Sequence, residues 1–204
     1  SDDEIARHGG VHLVPKMKTY AVLDAAQMPF LLTGLLETSG LRYQSLFQGE
    51  TQAELEETAP YLVELEDGAK FTQSLFLEST QLGGLWGRDL GVFIRSRLSF
   101  DVLRNHLRKF TRIQDENGKW FYFKFWDSKN FFVTSSMRSE ARSPFVRVWA
   151  NPSIFEVLFP AKNSMGVVKV EHHLPAGLGA IRLRNRDIEA IKNAKRHQFL
   201  HRVA

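Results

Sequence analysis

"TYAVLDAA", Thr19 to Ala26, is apolar on both of its alternating faces, with Tyr20 and Val22 on one and Ala21 and Leu23 on the other. Successive side chains of a strand point to opposite sides of a sheet, so a strand apolar on both sides is one covered on both sides. The segment that follows, "MPFLLTGLLETSG", supplies a first cover: Pro29 lies near a helix start and Gly40 stands where the helix stops. A strand followed by a helix sets the fold class as α/β, with α+β as the alternative: a mixed β-sheet with flanking helices and a second, smaller C-terminal lobe.

The same alternation continues outward. "TQAE", Thr51 to Glu54, has the spacing of a capping box and predicts a short helix that ends before Pro60. "YLVELE" alternates Tyr61, Val63 and Leu65 with Leu62, Glu64 and Glu66, as expected of a strand near an edge or with one partly wet face. A helical stretch around "FTQSLFLEST" leads into "QLGGLWGRDL", where Gly83, Gly84 and Gly87 interrupt regular structure, and "GVFIRS" is the next strand. Ser99 is placed to cap "FDVLRNHLRKF", whose Leu103, Leu107 and Phe110 share one helical face.

Asn117-Gly118 then marks a hairpin joining "TRIQ" to "WFYFKFWD". Strand alternation puts Phe121, Phe123 and Phe125 on one side and Trp120, Tyr122, Lys124 and Trp126 on the other, and burial is the expected fate of the whole aromatic strand. A base-stacking platform is the competing reading, but Asp115, Glu116 and Asp127 bracket the segment with negative charge.

Beyond Ser128 the chain mixes short apolar runs with Ser, Asn and Pro, and reads as loop-rich. The expected organisation is an N-terminal extension over 1–18, a core lobe over 19–128 and a smaller lobe over 129–204. The last of these closes on "IRLRNRDIEAIKNAKRHQFLHRVA", a basic amphipathic helix.

Charge divides the 204-residue chain unevenly. Residues 1–100 hold 8 Lys/Arg against 14 Asp/Glu, and residues 101–204 hold 19 against 9. Such asymmetry provides two surfaces for different partners or attraction between halves, and its bland counterpart is solvated faces of uneven composition. Cysteine is absent, which excludes disulfides, thiolate metal sites and a Cys nucleophile. No apolar run spans a bilayer, and the acidic start "SDDEIAR" lacks the basic and apolar regions of a signal peptide, so the expected location is the cytoplasm.

Catalytic patterns are missing. His172 and His173 are neighbours, and neighbours on a strand face opposite ways. His106 lies beside an apolar stripe without a partner at metal-ligand spacing, and Asp24 at a strand end has no nameable base or nucleophile beside it. "GGLWG" is too irregular for a dinucleotide fingerprint. The expectation is therefore a protein that is not an enzyme, with no catalytic residues, no metal and no cofactor.

An ordered series of segments carries more information than any of these. "YAVLDAA", "LRYQSLFQGE", "APYLVELE", "WGRDLGVFIRS", "LRNHLRKFTRIQDENGKWFYFKFWD" and, more loosely, "IEAIKNAKRHQFL" together resemble the effector adaptor, or chaperone, proteins of bacterial type VI secretion systems. The resemblance covers roughly residues 19 to 128 and the C-terminal helix. It implies a cytoplasmic protein that binds a toxic effector and helps load it onto the VgrG spike, with neither nucleic acid nor a membrane span involved. Phe131, Phe132, Trp149 and Phe155, in the loop-rich segment, are the expected partner contacts. The alternatives are a nucleic-acid-binding module using the basic C-terminal half, and a hydrolase or transferase built on Asp24 or the His172-His173 pair.

Overall fold

The computed structural model describes residues 15–135, 144–161, 164–169 and 182–183. Its centre is a six-stranded sheet in the order β2-β3-β1-β4-β7-β8, formed by β1 (Lys18–Asp24), β2 (Tyr43–Ser45), β3 (Pro60–Leu65), β4 (Gly91–Ser96), β7 (Ile154–Ala161) and β8 (Ser164–Lys169). Every pairing in it is antiparallel. A smaller sheet joins β5 (Arg112–Asp115) to β6 (Trp120–Tyr122) antiparallel and to β9 (Arg182–Leu183) in parallel. The α/β reading holds, with both pairing directions present in the molecule.

The opening octapeptide lies where its pattern requires. β1 is central, pairing with β3 on one side and β4 on the other, and Tyr20 through Leu23 are fully buried. Tyr20 and Val22 join Leu62, Val92 and Ile94 in one core; Ala21 and Leu23 join Tyr61, Val63 and Phe93 in another. Two-sided apolarity in β1, β3 and β4 thus produces two cores, one on each side of the sheet.

The first core is covered by α4 (Phe100–Arg108), the β5–β6 hairpin, α5 (Ser128–Ser135) and α6 (Pro144–Trp149). Strand β7, from the segment expected to form a smaller lobe, pairs with β4 through Phe93↔Leu158 and Ile94↔Val157, so residues on both sides of position 128 build the same sheet. The second core is covered by α1 (Leu31–Thr38) and α3 (Lys70–Leu75), both short.

Local chemistry departs from expectation in three places. Helix α2 (Glu50–Glu54) starts one residue before Thr51, and the Gln52 and Ala53 amides donate to the Gly49 carbonyl, so Thr51 lies inside the helix rather than capping it. Ser99 occupies the N-cap position of α4 but makes no side-chain cap bond. In the hairpin, Gly118 has φ +81° and donates to the Asp115 carbonyl, whose own side chain accepts from the Asn117 and Lys119 amides. A turn with one left-handed glycine replaces the two-residue turn that Asn-Gly suggests.

The aromatic strand is divided as well. Phe123, Phe125 and Trp126 are buried, as expected, whereas Trp120 and Tyr122 are each more than half exposed. β6 ends at Tyr122, and the chain then turns into the core instead of continuing as a flat strand. The basic segment 181–204, apart from the strand pair Arg182–Leu183, lies outside the described residues, as do residues 1–14 and His172-His173.

Candidate functional site

Helix α1 presents Leu32 and Leu36 to the sheet, leaving Leu31 and Leu35 at its margin; α3 inserts Phe71 and Leu75. These helices, of eight and six residues, leave part of the outer face of the second core uncovered. Between them, and closed at one end by the glycine-rich loop after α3, lies a groove of about 640 Å³. Its apolar lining includes Met28, Leu31, Leu35, Phe71, Leu82 and Leu85.

Two large apolar side chains of its lining stand in water, Leu82 fully exposed and Leu31 54% exposed, and Phe30, the residue before Leu31, is 72% exposed. Single exposed apolar residues are ordinary, but a cluster around a concave apolar surface marks a place where another surface can bury them.

The loop that carries Leu82 is built, not slack. The Gln81 amide donates to Glu78, Gly84 to Gln81, Leu85 to Ser74 and Trp86 to Leu77. Gly84 makes this possible, since a Cβ there would sit 1.9 Å from the Glu78 carbonyl oxygen. Gly83, at φ +78°, turns the chain immediately after Leu82. Sequence reasoning set this loop aside as a failed nucleotide motif; its glycines serve close backbone approach.

Phe30 precedes α1 with φ +63° and ψ −30°, a region that a side chain with a Cβ rarely occupies. Its exposed ring gains little from the fold in return.

Charge at the groove runs against the acidic N-terminal half: among the described residues Lys70 and Arg88 line it, and no carboxylate does. Most hydroxyls there are occupied internally, Thr38 donating to Gly34, Ser39 to Leu36 and Ser74 to Phe71. What the surface offers a ligand is apolar area with two cations.

A protein-family model described as "Domain of unknown function (DUF4123)" matches residues 19–143, well over half the chain. The chain belongs to this family. No curated protein and no solved structure matches it. The DUF4123 match runs from β1 through α5, and so includes both walls of the groove and the aromatic hairpin.

The residues expected to contact partners are dispersed. Phe131, in α5, and Trp149, at the end of α6, are buried and pack ring against ring at 5.8 Å, so they are core residues and offer no accessible contact. The loop-rich reading of residues 128–160 is corrected by two helices and a strand there. Phe155 lies half-buried on β7 with the Arg97 guanidinium 4.9 Å from its ring centroid. Phe132 belongs to α5, and its side chain lies outside the described residues.

Asp24 and His106, two of the titratable residues singled out from sequence, have structural partners. Asp24 is buried; its Oδ1 accepts from the Ala26 amide and its Oδ2 pairs with Lys124 Nζ at 2.9 Å, tying β1 to the segment after the hairpin. His106 donates through Nε2 to the Val148 carbonyl at 2.7 Å and packs edge-on against Phe110. Burial holds its pKa below the ordinary value of 6.5, with Lys109 acting in the same direction and the Val148 hydrogen bond opposing them. Tyr20 and Tyr61 donate to the Leu98 and Glu56 carbonyls, and burial pushes each up to about 12.

Among the described residues, no helix is long and apolar enough to cross a membrane.

Proposed function

We propose that this protein is an adaptor that binds a type VI secretion effector noncovalently and helps load it onto the VgrG spike, and that it performs no catalysis of its own. The observation that carries the reading is the DUF4123 match, because that family is linked to type VI secretion effector adaptors. The matched residues also contain the ordered segments that resemble such adaptors.

An adaptor has to hold a sticky segment of its cargo and release it intact, which requires exposed apolar area on a rigid support rather than a reactive centre. The groove between α1 and α3 fits that requirement: its floor is the second core and its rim is a hydrogen-bonded loop. The adaptor acts in the cytoplasm, before its cargo leaves the cell.

Affinity pull-down from a bacterium that carries a type VI secretion cluster tests the reading. An effector and VgrG are expected together with the tagged protein; reproducible recovery of neither overturns it.

One observation favours a second reading. Trp120 and Tyr122 are exposed on the same face of the hairpin, with the Arg112 guanidinium 5.2 Å from the Tyr122 ring centroid. Aromatic faces beside arginine suit single-stranded nucleic acid, whose binding weakens steeply with salt as counterions are released. Titration with labelled single strands at low salt decides it: absence of binding removes this reading.

A further inference from the structure

We infer that the groove between α1 and α3 seats an amphipathic helix of the effector, apolar on one side and carrying carboxylates along its margin. The inference rests on the adaptor reading for the identity of the partner and on the groove itself for the chemistry.

Three features define the occupant. Apolar anchors are required, because the floor and rim are leucine, methionine and phenylalanine. Carboxylates are required by charge complementarity: Lys70 and Arg88 line the groove without an acidic neighbour in its lining, and neither forms an ion pair among the described residues. Such charges guide encounter and orientation, while the apolar contacts supply most of the affinity.

Helical backbone is required by the walls. Among the described residues the lining comes from α1, α3 and the loops beside them and includes no sheet edge to pair with an extended segment. A chain buried there has to satisfy its own amides and carbonyls, which a helix does internally. The hydrogen-bonded loop fixes one end of the site before binding, so little ordering is left there for the encounter.

The probe is a labelled, stapled amphipathic peptide with leucines on one face and glutamates flanking them, read by fluorescence anisotropy against the full chain. Its partner probe carries lysine in place of each glutamate. The glutamate peptide is expected to bind at least about tenfold tighter than the lysine peptide, roughly 1.4 kcal/mol. Leu31→Ser with Leu82→Ser should weaken the glutamate peptide by a similar factor at an unchanged melting temperature, and Lys70→Glu with Arg88→Glu should reverse the preference.

Equal binding of the two peptides, or binding indifferent to both double variants, overturns the inference. Should the serine variant fail to fold, the charge-reversed variant alone decides, since both its positions are exposed. Concentration-dependent self-association that the serine substitutions abolish would assign the groove to a second copy and overturn the inference too.

Pull-downs with the same variants separate the role of the groove from the adaptor role. Effector capture by wild type that survives both double substitutions defeats the groove and leaves the adaptor reading standing. Capture of neither effector nor spike by wild type defeats the adaptor reading, while the peptide measurements still judge the groove.

Discussion

On one side of the sheet Phe125, Trp126, Phe131 and Trp149 interlock, with edge-on ring pairs at 4.9 Å (Phe125–Trp126) and 5.7 Å (Phe125–Trp149). On the other side, Leu31 and Leu82 remain in water above a core of similar apolar composition. Strands β1, β3 and β4 contribute to both sides, so the strands do not account for the difference. The covers do: three helices and a hairpin seal one side, and two short helices leave the other partly open. An apolar face closed by large rings contributes to folding, whereas one left ajar beside cations is suited to binding.

The largest expected effect follows from the sealed side. Trp149→Ala should destabilise the protein by roughly 3–5 kcal/mol, through lost transfer energy and the cavity left between Phe125 and Phe131. Chemical denaturation measures this. A change below about 1 kcal/mol would mean that the aromatic cluster is not the main seal, and the contrast between the faces would collapse.

Next comes the support of the open side. Gly84→Ala places a methyl group against the Glu78 carbonyl, and relief requires the loop to move, at a cost of about 1–3 kcal/mol. The loss should appear as faster exchange of the Leu85 and Trp86 amides, which donate within this loop. Unaltered exchange would show that Leu82 is presented without a rigid support.

Much of this was legible in the sequence, and the limits have physical causes. β1, β4 and α4 could be read because their apolar positions follow the period of a strand or a helix. Helix α6 escaped because "SPFVRVW" is short and Ser-rich on entry, although proline at a first helical position is a helix-start signal that could have exposed it. Phe131 and Trp149 were misplaced by the same loop-rich reading. The groove was not legible at all. Nothing in the sequence pattern marks Leu31 or Leu82 as exposed, and only the placement of α1 and α3 decides which leucines remain uncovered.

Phe30 allows the open side to be sharpened in the other direction. Phe30→Gly removes the Cβ that conflicts with φ +63° and sacrifices little burial, so stability should rise by about 1 kcal/mol. Lower stability in denaturant would mean that the ring contributes to the fold despite its exposure.

A smaller effect separates the faces by pH. Because burial lowers the His106 pKa, the unfolded chain takes up this proton before the folded one as pH falls through the ordinary value of 6.5. The stability associated with neutral His106 is complete above that value and is lost as pH falls towards its depressed folded pKa. The difference in stability between wild type and His106→Gln should therefore vary with pH below about 6.5 and be constant above it. A difference independent of pH across that range would contradict a buried neutral imidazole on the Val148 carbonyl.

The smallest expected change is in the residue most exposed. Leu82→Ser should alter stability by no more than about 0.5 kcal/mol, because the side chain is already in water and its loop is held by backbone bonds that serine leaves intact. Phe131→Ser, made in parallel, removes a fully buried ring from the sealed side and introduces a hydroxyl there, so it should unfold the protein far more readily. Two apolar-to-serine substitutions with opposite consequences test the contrast most directly. Comparable destabilisation by both would mean that Leu82 packs in solution against something the open groove does not contain, and the difference between a sealed and an open face would have to be abandoned. Thermal melting of the two variants beside wild type is enough to decide it.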